Sequence, residues 1–297
     1  MELRQVEYFL AVVENEGING AAASLGVAQP TISQALRGLE RELGVQLFHR
    51  IGRGMVLSAA GRSMVGPSRQ ILRDVTAVED LLATSDGALA GRLDIMTFPA
   101  LALGPVVDLV TEFRRAHPNV SVRLGELKDE SQAGSLIEDG HCEFVVAHFP
   151  LDDAGLDVIE LGEQEYWLVY PPGTDMPQGP VPLSALPDVP MVFVPRGHSV
   201  ADEIEESIRH AGARPRLAAL SEHREARLPL VLAGIGGTLL ERSIAEAARD
   251  RAVVRPVEPK VARTFGIAFD PDMLSPAGQA FVELVRARTS GGGRPLT

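Results

Sequence analysis

The sequence predicts an α/β chain with a small all-α domain in front, a winged helix-turn-helix followed by a two-lobed α/β domain. Three observations carry this. Residues 1–58 contain three helical patterns, with a glycine turn between the second and third, and end in a short hairpin pattern. The segment after them reads as one long helix with a heptad seam. Beyond residue 88, strands alternate with helices for about 200 residues, which implies helices layered on mostly parallel sheets and enough chain for two lobes.

In the first helix Leu3, Val6, Phe9, Leu10 and Val13 form an apolar stripe that runs out at Gly17, a good C-cap residue. Asn19 is placed to cap a short second helix, "GAAASLGV", whose alanines allow close helix packing. Gly26 turns the chain, and Pro30 sits near the first position of the third helix, where its missing N–H costs nothing. On that helix Ile32, Leu36, Leu39 and Leu43 share one line. The opposite line holds Pro30, Gln34, Arg37 and Arg41, flanked by Ser33 on one side and by Thr31 and Gly38 on the other. Amide, hydroxyl and guanidinium groups crowd the first turns of that face, and the acids Glu40 and Glu42 come only later. "VQLFHRIGRGMVLS" then reads as a β-hairpin, a wing with Gly52 and Gly54 at its turn and Arg50 and Arg53 exposed.

Ser58 caps the next helix, which extends to about Thr84. Met64, Ser68, Ile71, Val75, Val78 and Leu82 are spaced as a heptad seam, and a second copy of the chain is the simplest partner for it. Pro67 removes one backbone hydrogen bond early in this helix and is expected to kink it. "SDGALAGR", residues 85–92, is a small-residue hinge. After it come strands at "LDIMTF", "VSVRLGEL", "EFVVAHF", "YWLVY", "MVFVP", "RLAAL" and "TFGIAF". Helices fall over 102–116, 130–139, 201–211, 223–233, 243–249 and 276–288. The final "SGGGRPLT" reads as a disordered tail.

Composition narrows the function classes. Hydrophobic residues make up 45% of the 297, enough for large cores, yet no run of 18 apolar residues occurs, so no transmembrane helix is expected. The first residues interleave acids with apolar positions and lack a small-residue cleavage site, unlike a secretory signal. The single cysteine, Cys142, rules out an internal disulfide and a cysteine-rich zinc site and reads as a core residue. The seven histidines show no metal-ligand spacing, so neither metal nor cofactor is expected. The compartment expected is the cytoplasm. The net charge of −12 argues against nucleic acid at first sight, and residues 1–60 carry five basic and six acidic residues, a net of −1. Most of those acids precede residue 17, however, while Arg37, Arg50 and Arg53 cluster around the third helix and the wing.

With the residues laid out, the first 66 resemble the LysR-type transcriptional regulators. "LRQVEYFLAV", "AAASLGVAQPTISQALRGLERELGVQLFHR" and "LSAAG" occur in that family's order and spacing, and "GRLDI", "FRRAHPNVSVRL", "LVLAGIGGTLL" and "SPAGQAFVELVRA" extend the resemblance over nearly the whole chain. It implies a periplasmic-binding-protein-like effector domain, in which the chain leaves lobe I, forms lobe II and returns. The expected boundaries are 1–58 for the DNA-binding domain, 59–87 for a dimerising linker helix, 88–163 with 264–290 for lobe I, 164–263 for lobe II and 291–297 for the tail. Departures from the family are Asn19-Gly20, where a hydroxyl or basic residue is common, Pro67 in the linker helix, and Ala100, where a Ser or Thr is frequent.

The resemblance gives the polar face of the third helix a purpose, which is to enter a DNA major groove. Gln29 and Gln34 can bond an adenine edge, Arg37 a guanine edge or a phosphate, and Thr31 and Ser33 phosphates, with Pro30 opening the helix. Arg50 and Arg53 can lie against phosphates or in the minor groove. Ile71, Val75, Val78 and Leu82 are the dimer contacts. The expected effector contacts are Thr97, Phe98, Pro99, Ala100, His148 and Phe149 from one lobe and Arg196, Gly197, His198 and Ser199 from the other, at strand ends and helix N-termini with free N–H groups. A small carboxylate with an apolar body suits them. The implied partners are double-stranded operator DNA, a second copy of the chain giving a dimer and then a tetramer, a small-molecule effector and RNA polymerase, with no membrane. An enzyme is the competing class, because "GHSVA" (197–201) follows a strand and opens a helix as a nucleophile elbow does. The order Ser, Asp, His then fails, since only Asp202 stands between Ser199 and the histidines His210 and His223. "AGIGG" (233–237) lacks the third glycine of a dinucleotide fingerprint and reads as a tight turn. A solute-binding protein without DNA function would leave residues 1–60 unexplained.

Overall fold

The computed structural model describes residues 1–51, 54–83, 88–151, 155–195 and 199–290. Three helices, α1 (Leu3–Glu14), α2 (Ile18–Leu25) and α3 (Gln29–Leu43), precede the hairpin of β1 (Phe48–Ile51) and β2 (Gly54–Leu57). The hairpin is antiparallel from Phe48↔Leu57 to Ile51↔Gly54. Ile32, Leu36 and Leu39 are buried with Phe9, Leu47 and Phe48, and the Phe9 and Phe48 rings meet at 5.4 Å between centroids. Leu43 departs from its line: it is 41% exposed, because the last turn of α3 extends past the three-helix core. Gly26 and Gly44 close α2 and α3 with φ of 65° and 72°, the left-handed conformation that glycine adopts without a Cβ clash.

Asn19 does not cap α2. Gly17 is the residue before the helix and Asn19 lies inside its first turn. The end of α1 comes too close for an alternative start: a Cβ on Gly20 would meet the Asn15 carbonyl oxygen at 2.9 Å. Gly17 likewise does not cap α1, which ends at Asn15.

Ser58 caps α4 (Ala59–Ala83), as its Oγ accepts from the Gly61 N–H at 3.0 Å and donates to the Gln46 carbonyl at 2.6 Å. The helix runs on through Pro67. Beyond it come β3 (Ala90–Thr97), α5 (Pro99–Ala102), α6 (Pro105–Ala116), β4 (Asn119–Glu126), α7 (Ala133–Glu138), β5 (Phe144–His148) and the long β6 (Asp157–Tyr170). They are followed by β7 (Val181–Pro182), β8 (Met191–Phe193), α8 (Ser199–His210), β9 (Leu217–Leu220), α9 (Arg227–Leu232), β10 (Thr238–Glu241), α10 (Arg242–Ala247), β11 (Val253–Arg255), β12 (Val257–Glu258), β13 (Val261–Phe269) and α11 (Pro276–Ser290). The helix expected over 102–116 is split at Gly104 into α5 and α6, and those over 130–139 and 223–233 each begin as a 3-10 turn.

The chain divides into two compact units, Met1–Ile159 with Gly266–Gly293 and Glu160–Phe265 with Arg294–Thr297. In the first, β3 lies parallel to β4 from Ala90↔Asn119 to Thr97↔Glu126 and parallel to β5 on its other side. Beneath them Phe281 stacks edge-on against Phe113 and Phe144, with centroids 5.3 and 5.0 Å away. In the second unit β8 pairs with β9 and β7 with β12 in parallel, whereas β10 and β11 run antiparallel to β6.

The heptad seam of α4 divides into a covered half and an open half. Met64 packs against the DNA-binding core and Ser68 is buried, so the N-terminal half is occupied within the protomer. Ile71 and Val75 are half-buried, and Val78 and Leu82 are 56% and 80% exposed. The buried half meets the turn after α7 backbone to backbone. A Cβ on Gly66 would stand 2.0 Å from the Glu138 carbonyl oxygen, while the Arg69 guanidinium donates to the Asp139 carbonyl and the Arg73 guanidinium to the Gly140 carbonyl, both at 2.7 Å. Gly66→Ala, which in an ordinary helix stabilises by about 1 kcal/mol, is therefore expected to cost about 1–3 kcal/mol in urea unfolding, because a backbone must move to admit the methyl. Unchanged or raised stability would show that the contact yields freely.

Candidate functional site

Burial of Ile32, Leu36 and Leu39 fixes which face of α3 is left outside. Gln29, Pro30, Thr31, Gln34 and Arg37 are exposed on it, and Ser33 is half-buried. Arg50 is exposed on β1; Arg53, with Gly52, lies outside the described residues. Glu40 is turned away from this face. Its Oε1 accepts the N–H groups of Leu47 and Phe48 at 2.8 and 3.4 Å, tying α3 to the hairpin. The acid that would most directly repel a phosphate is thus held by backbone donors. What remains outward is an array of short polar groups and guanidiniums on a rigid helix beside a two-stranded ribbon, suited to base edges and phosphates.

In the first unit Thr97, Phe98, Pro99, Ala100, His148 and Phe149 gather at the ends of β3 and β5. His148 is fully buried, its Nδ1 3.4 Å from Glu130 Oε1 and its ring edge-on to Phe98 at 5.8 Å. The Phe149 ring lies over Gly266, where an added Cβ would meet it at 2.5 Å. The expected row of free N–H groups is absent from this turn. Phe98 donates to the Val146 carbonyl at 3.1 Å, Pro99 has no N–H, and Ala100 is buried and engaged. What the turn offers is aromatic surface more than anion-binding backbone. Arg196, Gly197 and His198 lie outside the described residues, and Ser199 is the first residue of α8 in the second unit.

The two histidines that an elbow at Ser199 would need are on the surface, His210 at 78% and His223 at 81% side-chain exposure, beside Glu206 and Glu225. Among the described residues no group of three His, Cys, Asp or Glu side chains is placed to hold a metal ion. Nor is any described helix long and apolar enough to cross a membrane.

Residues 3–62 match the family model described as "Bacterial regulatory helix-turn-helix protein, lysR family", and residues 86–290 match "LysR substrate binding domain". The chain belongs to the LysR family. It is 31% identical to the transcriptional regulator TcbR of Pseudomonas sp. (strain P51) over 96% of this chain and 98% of that protein. It is 29% identical to a probable hydrogen peroxide-inducible genes activator of Mycobacterium leprae (strain TN), over 88% of this chain and 85% of that one. Among solved structures it is similar to full-length CbnR in complex with its target DNA, with a TM-score of 0.65 and 26% identity over 96% of this chain and 99% of that one. The LysR-family chain is accordingly a DNA-binding transcriptional regulator with an effector-binding domain, and its relatives are regulators, not enzymes.

The sequence reading missed a buried charged cluster in the second unit. Glu241, at the end of β10, is 2% exposed; Arg224 Nη2 lies 2.6 Å from its Oε1 and Arg227 Nη2 3.8 Å. Tyr166, its register partner on β6, donates its hydroxyl to Gln164 at 3.0 Å. Burial, reinforced by Glu241, pushes the Tyr166 hydroxyl above its usual range, and burial lowers Arg227. The available signals were an acid closing the apolar strand "TLLE" and two arginines three residues apart in "REAR".

Proposed function

We propose that this LysR-family chain binds operator DNA in the cytoplasm through Gln29, Pro30, Thr31, Ser33, Gln34, Arg37, Arg50 and Arg53, as a dimer joined along α4 that pairs into a tetramer. In this reading residues 1–58 are the DNA-binding domain, 59–87 the linker helix, 88–163 with 264–290 lobe I and 164–263 lobe II. The observation that carries it is the sorting of α3: three apolar residues inward, Glu40 bound to the hairpin, and Gln34 and Arg37 outward. Footprinting upstream of the chain's own gene and its neighbours identifies the operator. On that operator Gln34→Ala and Arg37→Ala are each expected to lose about 1–3 kcal/mol of discrimination over random DNA with unfolding curves unchanged. Wild-type binding by both variants would rule out α3 as the reader.

Ile71, Val75, Val78 and Leu82 supply the dimer seam in this proposal, and the last two are exposed. Val78→Glu and Leu82→Glu place like charges opposite each other in such a seam and are expected to yield monomers in sedimentation. An unchanged assembly would move the interface elsewhere.

The effector we infer is an acid with an apolar or aromatic body. Phe98 and Phe149 offer aromatic surface with Thr97, Pro99, Ala100 and His148, and Arg196, Gly197, His198 and Ser199 offer cationic and helix-start groups for a carboxylate. Its binding shifts the population of lobe arrangements and hence the spacing of the paired helix-turn-helix units, which RNA polymerase reads at the promoter. The Mycobacterium leprae relative is named for hydrogen peroxide, but the sole cysteine here, Cys142, is 1% exposed, and burial with Asp94 nearby pushes its thiol up to about 12. Almost no thiolate exists at neutral pH, so the signal is a bound molecule and not an oxidant acting on sulfur. A thermal-shift screen of metabolites should return aromatic and branched carboxylic acids whose shifts shrink in Arg196→Ala. Hits confined to cations or sugars would refute this effector class.

A further inference from the structure

A polar cavity lies wholly within the first unit and shares no residue with the effector contacts proposed above. It occupies about 550 Å³ among α1, α4, β3, β4, the turn after α7 and the start of α11. Four guanidiniums, Arg69, Arg73, Arg92 and Arg123, line it together with Glu14 and His141. Arg73 is the decisive one. It is only 9% exposed, and its Nη1 donates to the Gly140 carbonyl at 2.7 Å, while Nε and Nη2 are buried with no hydrogen-bond partner in the protein. Buried cationic donors left unpaired are unfavourable unless an acceptor arrives from outside the chain.

The carboxylates around this cavity do not satisfy the set. Glu14 is 3.6 Å from Arg69; Asp94 is 2.9 Å from Arg92 and 3.6 Å from Arg123. Glu143, buried behind Arg73, accepts the Ser275 N–H at 2.7 Å through Oε1, and burial holds its carboxyl above the usual range. His141 is pushed down by burial and by Arg69, so it adds no full charge at neutral pH. Asp139 adds a fourth carboxylate beside Arg69 and His141, so four cations face four carboxylates, and Glu143, the one that acts on Arg73, is biased toward its neutral form. The volume exceeds that of a bare ion.

We propose that this cavity is an anion-binding site for a small metabolite carrying a phosphate or carboxylate group, with the oxyanion accepting from Arg73 Nε and Nη2 and drawing Arg69, Arg92 and Arg123 around it. Glu14 belongs to the helix-turn-helix body, Arg69 and Arg73 to the linker helix, and Arg92 and Arg123 to the effector body. A ligand there competes with Glu14 for Arg69 and alters the tie between the DNA-binding domain and the rest of the unit.

The test is calorimetric titration of the full-length protein with inorganic phosphate and, separately, with succinate, at constant ionic strength in chloride. One saturable site per chain is expected for at least one probe, and which probe saturates distinguishes a phosphate from a carboxylate ligand. Arg73→Gln is expected to weaken binding tenfold or more. Arg123→Gln, on an exposed side chain whose removal still leaves Asp94 paired with Arg92 at 2.9 Å, is expected to weaken it several-fold, which keeps the test open if the Arg73 variant does not fold. Absence of saturation with both probes, or saturation that survives Arg123→Gln and a folded Arg73→Gln unchanged, would overturn the proposal.

Discussion

Close approach between α4 and the turn after α7 is the constraint on which the first unit depends. Gly66 has no side chain, so the helix backbone can reach the Glu138 carbonyl, and Gly140 takes a φ of 66° to turn beneath it. Arg69 and Arg73 then satisfy the two carbonyls left at the end of α7. These contacts make α4 a member of two bodies at once, continuous with the winged domain through Ser58 and locked to the α/β body through its middle. Between Ser58 and Arg73 the two bodies are thus joined through one continuous helix and its packed backbone contact.

This arrangement also decides how the heptad seam is used. A seven-residue repeat states that one stripe of a helix is to be covered but not by what. Met64 and Ser68 are covered by the chain itself and only the later positions remain open. Periodicity is local information; the carbonyls that receive Arg69 and Arg73 lie about 70 residues away in sequence. The same limit hid the Arg224–Arg227–Glu241 cluster, where the acid and the arginines come from different elements.

Much of the fold was legible because side-chain size and backbone preference act over a few residues. The Ile32, Leu36, Leu39 stripe, the turn at Gly26 after α2, the wing hairpin and the seven expected strands all occur where the sequence places them. The misread details were set by neighbours. Asn19 lost the cap position because Gly20 must lie against Asn15, and Leu43 lost its burial because the core ends a turn earlier. The two-residue strands β7 and β12 and the short β11 have too little length for an alternating pattern to register. In the candidate effector turn the backbone departs from the expectation: Phe98 spends its N–H on β5, which no side-chain pattern reports.

Net charge misleads for the same reason that local pairing informs. A chain at −12 with a winged domain at −1 looks ill-suited to a polyanion. Screening in physiological salt confines each charge to about 8 Å, so the sum over the chain is not what a phosphate at α3 experiences. What it meets is Arg37 and Arg50 in the open, with Glu40 fastened to the Leu47 and Phe48 N–H groups. The remaining acidity opposes indiscriminate attachment to a polyanion, which fits the proposal that α3 contacts base edges.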